Sequence, residues 1–155
     1  MTAIHLGNFS ICSKCTHCNF KDMLSHTDVD ALDGIIQRNK SIKKGSKVYS
    51  VGDKFTHIYA IRSGYLKTYC ISESGEEQIT GFHLPGEVVG LEAINTGVHI
   101  GFSEALESCQ ICSIPYEELD GLSSESTGLR QKVNQIMSQE ITHNYELLHL
   151  LNKKN

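Results

Sequence analysis

The chain has 155 residues, 39% of them hydrophobic and 21% charged, and a formal net charge of −4. That length suits one domain whose core needs no staples, and no apolar run reaches the roughly 18 residues of a membrane helix. The negative balance and the scattered basic residues exclude a chain that grips nucleic acid by itself, because phosphate binding needs a concentrated basic surface.

The opening MTAIHLGNFS carries neither the basic nor the apolar region of a secretory signal, so a cytoplasmic chain is expected. In a reducing compartment clustered cysteines lean toward metal or redox chemistry rather than disulfides. Residues 1–24 show no period and read as a cysteine loop, in which ICSKCTHCNF sets Cys12, Cys15 and Cys18 in a C-x2-C-x2-C run. Residues 25–123 read as one domain with short flanking helices. In SHTDVDALDGIIQR, Val29, Leu32, Ile35 and Ile36 share a helical face, with Ser25 or Thr27 as the N-cap. From Ser41 onward, short runs of β-branched and aromatic residues are punctuated by Gly45, Gly52, Gly64, Gly75 and Gly86. Such spacing predicts a small antiparallel barrel or sandwich. SEALESCQICSIP adds strands that end at Pro115, and YEELDGL reads as a short helix.

Residues 124–155 read as one long helix, without proline or glycine after Gly128. Met137, Ile141, Asn144, Leu148 and Leu151 recur at spacings of four and three, a coiled-coil seam that predicts a homodimer. Leu147 and Leu150 widen the stripe toward the chain's own core. The other reading of this pattern is an amphipathic helix lying on its own domain.

Four soft thiolates suit an iron–sulfur cubane, and the same C-x2-C-x2-C run occurs in bacterial ferredoxins. Zinc is the alternative, with His17 able to replace one cysteine. Cys70 alternates with its strand neighbours and reads as a small buried apolar residue. Cys109 and Cys112 are three apart, so in a strand they point to opposite faces.

The stretches GDKFTHIYAIRSGYLKTY, GEEQITGFHLPGEVVGLEAI and ALESCQICSIPYEELDGL, in that order, resemble the sensor domain of the CRP/FNR transcription regulators, nearest the oxygen-sensing branch. LRQKVNQIMSQEI and LLHLLNKKN resemble that branch's dimerisation helix. The resemblance implies an α+β, mainly β fold: a cyclic-nucleotide-binding-like antiparallel β-roll of eight strands (a double-stranded β-helix), then a long C-terminal dimerisation helix. It also implies a winged helix-turn-helix beyond residue 155, through which the dimer would contact DNA, with RNA polymerase as a further partner and no membrane. Its cofactor is a [4Fe–4S] cluster held by Cys12, Cys15, Cys18 and, from the match at QICSIP, Cys112. Oxygen acting on that cluster would control dimerisation and so DNA binding.

Two departures from the branch stand out. The gap between Cys15 and Cys18 is only Thr16 and His17, shorter than in the well-known members. Asn144 stands where those relatives often carry an acidic residue, which implies easier pairing without the cluster. Cyclic AMP binding is not expected, because Phe102 precedes Ser103 where an arginine would hold the phosphate. Glu87 and Glu92 read as turn and surface carboxylates. The eight histidines, His57, His83 and His99 among them, form no H-x-H pair, and no nucleophile motif appears, so no enzyme is expected. The alternatives are a cluster-free regulator of the same fold, with another signal or structural zinc, and a cupin-like metalloenzyme.

Overall fold

Glycine turns cut the middle of the chain into eight strands. A computed structural model describes residues 24–153, so Cys12, Cys15 and Cys18 lie outside the described residues. The strands are β1 (Gln37–Ile42), β2 (Lys47–Tyr49), β3 (His57–Ser63), β4 (Leu66–Ile71), β5 (Glu77–His83), β6 (Val88–Val89), β7 (Phe102–Ala105) and β8 (Cys109–Pro115). All pair antiparallel, in two four-stranded sheets of order β1-β8-β3-β6 and β2-β7-β4-β5. This is the expected β-roll. The five glycines that marked the turns all have positive φ, a conformation that costs other residues energy.

Among the described residues three α-helices flank the roll: α1 (His26–Ile35), α2 (Tyr116–Glu125) and α3 (Thr127–Lys153). The Asp28 amide donates to the Ser25 hydroxyl at 3.1 Å, so Ser25 is the N-cap of α1. The long helix starts three residues later than expected. Ser124 and Glu125 finish α2, and Ser126 turns extended (φ −130°, ψ 116°) before α3 begins. Its hydroxyl accepts from the Leu129 amide at 3.2 Å, and a serine that caps a helix leaves the helical conformation to do so.

The core has two compartments, divided by the sheet of β1, β8, β3 and β6. On the helical side Leu32, Ile36, Ile58, Val88, Cys112, Ile114, Leu119 and Ile136 pack together. Between the two sheets Ile42, Tyr49, Ile61, Leu66, Val89, Ala105, Cys109 and Ile111 form the second cluster. Strand alternation explains the division, since neighbouring positions on β3, β6 and β8 send their side chains to opposite compartments. Fully burying Leu32 or Leu119 contributes about 1.5–3 kcal/mol each.

Gly64, between β3 and β4, joins the turn to the inner compartment. At its φ of +79° a β-carbon would sit 2.5 Å from the Ser108 carbonyl oxygen and 2.7 Å from the Cys109 sulfur. Backbone strain and overlap therefore act together. Gly64→Ala is expected to destabilise the domain by about 2 kcal/mol or more, read as a lower urea midpoint, whereas Gly75→Ala, with no atom near its added carbon, loses less.

Candidate functional site

Cys112 is placed by β8 on the helical side of the sheet. It pairs with Ala60 of β3 and is 9% exposed within the cluster that holds Leu32, Ile36 and Ile136. Leu24, the first described residue, packs on that same cluster. Cys109 faces the other way, 1% exposed between the sheets. Its thiol lies 3.1 Å from the Glu107 carbonyl and 3.4 Å from that of Tyr65. Burial pushes the Cys109 thiol up from its ordinary pKa, which disfavours the thiolate that a metal requires. The two cysteines thus occupy opposite faces, as their spacing predicts.

Cys70 differs from expectation. It is half-buried and lines a cavity between the roll and α3 rather than filling the core. That cavity holds about 490 Å³. Val88, Val89, Leu91, Ile100, Phe102 and Met137 supply its apolar walls, and Thr68, Thr80, His83, Glu92, Glu140 and Asn144 its polar ones. Among the described residues, two carboxylates and no lysine or arginine line it, the reverse of what a phosphodiester anion needs.

Glu92 is exposed, as expected, but it also holds two buried rings that the sequence did not signal. It accepts from the Tyr49 hydroxyl at 2.9 Å, and its other oxygen lies 2.9 Å from His99 Nδ1. The Tyr49 and His99 rings stack with centroids 3.8 Å apart, and both are buried. Burial, then the Glu92 charge, drives the Tyr49 pKa far above its usual value. The three residues come from positions 49, 92 and 99, and no local motif links them. Glu87 keeps its expected turn role, accepting from the Leu84 amide at 3.2 Å. Burial raises the Glu87 carboxyl, but His83, 3.5 Å away, and the Leu84 amide outweigh it and hold the pKa below the ordinary value.

The predicted seam on α3 divides in two. Met137, Ile141 and Asn144 line the cavity mouth, although Ile141 remains 58% exposed. Leu148 and Leu151 are 56% and 51% exposed. Leu150 is also exposed and does not turn to the core. The flank of the helix about 110° round from the seam is the docked one. Leu129, Lys132 and Ile136 are buried, and His143 Nε2 lies 3.2 Å from the Phe82 carbonyl at the edge strand β5. Tyr145, a large exposed residue among the apolar ones, escaped the spacing rule because it stands one position past the seam.

Among the described residues, no group of three or more histidine, cysteine, aspartate or glutamate side chains is placed to hold a metal ion. The histidines therefore assemble no mononuclear centre of the cupin kind there. Among the same residues, no helix is long and apolar enough to cross a membrane.

The family model for the cyclic nucleotide-binding domain matches residues 39–126. Over 153 residues, 99% of this chain, the identity is 46% to the fumarate nitrate reduction regulatory protein of Klebsiella oxytoca. It is 45% to the fumarate and nitrate reduction regulatory protein of Escherichia coli K12, over the same share. The chain spans 60% of the length of each. Among solved structures, the sensor domain of the transcriptional regulator DNR from Pseudomonas aeruginosa superposes with a TM-score of 0.70, at 17% identity, over 94% of this chain and 95% of that one. The Thermus thermophilus catabolite activator protein does so with a TM-score of 0.68, at 20% identity, over 86% and 63%. These two likenesses show the fold. The chain belongs to the cyclic nucleotide-binding domain family, and along 99% of its length it is similar to fumarate and nitrate reduction regulators.

Glu140 gives the cavity a testable electrostatic property. Burial raises its pKa; His83 and His143 oppose the shift, and Glu87 and Glu92 add to it. A carboxyl whose folded pKa is raised costs stability once ionised, fully above that pKa and not at all below the unfolded value of about 4.3. Glu140→Gln is therefore expected to melt higher than the parent near pH 7, with the difference gone by about pH 3.5 in paired thermal scans.

Proposed function

We infer that this chain is the sensory and dimerisation region of an oxygen-responsive transcription regulator. Cys12, Cys15, Cys18 and Cys112 would hold a [4Fe–4S] cluster, and α3 would pair with α3 of a second copy. The observation that carries the reading is the placement of Cys112. Its thiol lies on the helical side of the roll, in the cluster on which Leu24 packs, and Leu24 follows Cys18 by six residues. Six residues span at most roughly 20 Å, so the N-terminal thiols have a short tether to that face. The donor set fits the group, because soft thiolates suit iron–sulfur clusters and Cys112 is shielded by apolar neighbours. The similarity to fumarate and nitrate reduction regulators along 99% of the chain supports the same reading.

When bound, such a cluster supplies a centre that oxygen degrades. The chain's own residues would do the rest. Cys112 would anchor the segment ahead of α1 against the sheet, and α1 would hold that segment beside α2 and α3. Ile141, Leu148 and Leu151 would meet their counterparts across a two-fold axis, presenting paired DNA-binding domains that follow α3 in the whole regulator. A group bound more tightly by one arrangement of the chain shifts the population toward it, and a few kcal/mol of such preference changes occupancy substantially.

Anaerobic reconstitution followed by iron and sulfide assay tests the ligand set. Cys112→Ser is expected to lose most of the iron and sulfide, whereas Cys109→Ser keeps them. Equal loading of both variants contradicts the assignment, and a colourless zinc-bound parent favours a cluster-free regulator.

Asn144 bears on the unloaded state. Asn144→Asp places two like charges across the proposed pair and is expected to weaken self-association of the cluster-free chain by roughly tenfold in sedimentation equilibrium. An unchanged association constant removes Asn144 from the interface.

A further inference from the structure

The segment that follows the cysteines is fastened to the base of the long helix by one carboxylate. Asp28 lies in the first turn of α1, where its amide donates to Ser25. Its side chain reaches across to α3, and the Ser126 hydroxyl donates to Asp28 Oδ1 at 2.8 Å. The Ser126 oxygen also accepts from the Leu129 amide at 3.2 Å. A continuous run of hydrogen bonds thus joins the first turn of α3 to α1, each link polarising the next.

Two independent features show that the contact is built in. The first turn of α3 contains no acidic residue of its own, although a helix N-terminus favours a negative charge. Arg130 stands in that turn instead, and Asp28 supplies the missing carboxylate from another helix. The second feature is Gly128. A β-carbon there would lie 2.9 Å from Asp28 Oδ2 and 3.9 Å from Leu24 Cδ2. The absence of a side chain leaves room for the Asp28 carboxylate beside the helix end.

We propose that Asp28 is a positioning residue that relays the state of the cysteine segment to the first turn of α3, through Ser126. The relay rests on the cluster reading for the signal it carries. While Cys18 and its neighbours are held beside Cys112, Leu24 and Asp28 keep the base of α3 in place. When they are released, the carboxylate leaves the helix end, the Ser126 hydroxyl loses the partner that fixes it as the cap, and the first turn of α3 frays. The pairing face, which begins at Ile141 about three turns further along, then loses its fixed base.

The test is hydrogen exchange by mass spectrometry across residues 127–131 in the full chain, anaerobically loaded and after cluster removal, with iron and sulfide measured in each sample. In the parent, exchange there is expected to rise about fivefold on cluster removal, the change typical of losing a cap. Asp28→Ala is expected to exchange fast in both states, so the loaded-to-unloaded difference disappears. Gly128→Ala keeps the carboxylate but displaces it. It is expected to behave like Asp28→Ala even though alanine favours a helix over glycine. Far-UV circular dichroism of both variants checks that the fold is retained.

If both variants speed exchange equally in the two states and leave the difference intact, Asp28 is only a cap and the relay is overturned. Exchange unchanged in both variants overturns it as well. A parent chain that takes up neither iron nor sulfide removes the sensing reading and the relay together, whereas a loaded parent with an intact difference in the variants removes the relay alone.

Discussion

A strand in the middle of a sheet sends alternate side chains to opposite sides, and β8 does this with both sides buried. Cys109 and Ile111 enter the space between the sheets, while Cys112 and Ile114 enter the space under the helices. The parity of one strand therefore decides which thiol can meet a segment arriving from the N-terminus. It also decides which thiol is sealed away with its pKa raised. The register that enforces this parity is the pairing with β3, where Ala60 sits opposite Cys112 and Ile61 opposite Ile111. A small residue opposite Cys112 leaves room on the face where α1 lies. Slipping the register by one residue would exchange the two environments.

The same helical side holds the base of α3, and this links the thiol to the exposed half of the helix. Leu129 and Ile136 are anchored in the domain, whereas Ile141, Leu148 and Leu151 present apolar surface. Each such side chain, once buried, contributes about 1.5–3 kcal/mol, while association costs an estimated 4–15 kcal/mol. In the proposed dimer a helix pair of this size would lie near balance, so modest changes at its base would alter how much dimer is present. A marginal interface would suit the proposed sensor, because a very strong one would ignore the signal.

Much of this was legible in the residues. The five turn glycines, the Ser25 cap, the face formed by Leu32 and Ile36, and the opposed directions of Cys109 and Cys112 follow from local rules of dihedral freedom and periodicity. The long helix was legible too, except at its start. Ser126 looks like one more polar residue until its hydroxyl is seen taking the Leu129 amide. Non-local polar contacts were not legible. Glu92 is exposed as expected, but nothing signalled its partners, because Tyr49 and His99 lie 43 and 7 residues away and on other elements. Asp28 gave no sign of reaching Ser126, 98 residues on. The cavity between roll and helix was equally hidden, since its walls are drawn from both sheets and α3. Periodicity describes what one element presents, not what another brings to it.

X-ray absorption at the iron edge of the anaerobically reconstituted chain tests the central claim most directly, that thiols from the two ends of the domain converge on a single inorganic centre. The account predicts a first shell made only of sulfur, with a short iron–iron distance behind it. A shell of nitrogen and oxygen, or iron with no second iron nearby, would contradict it.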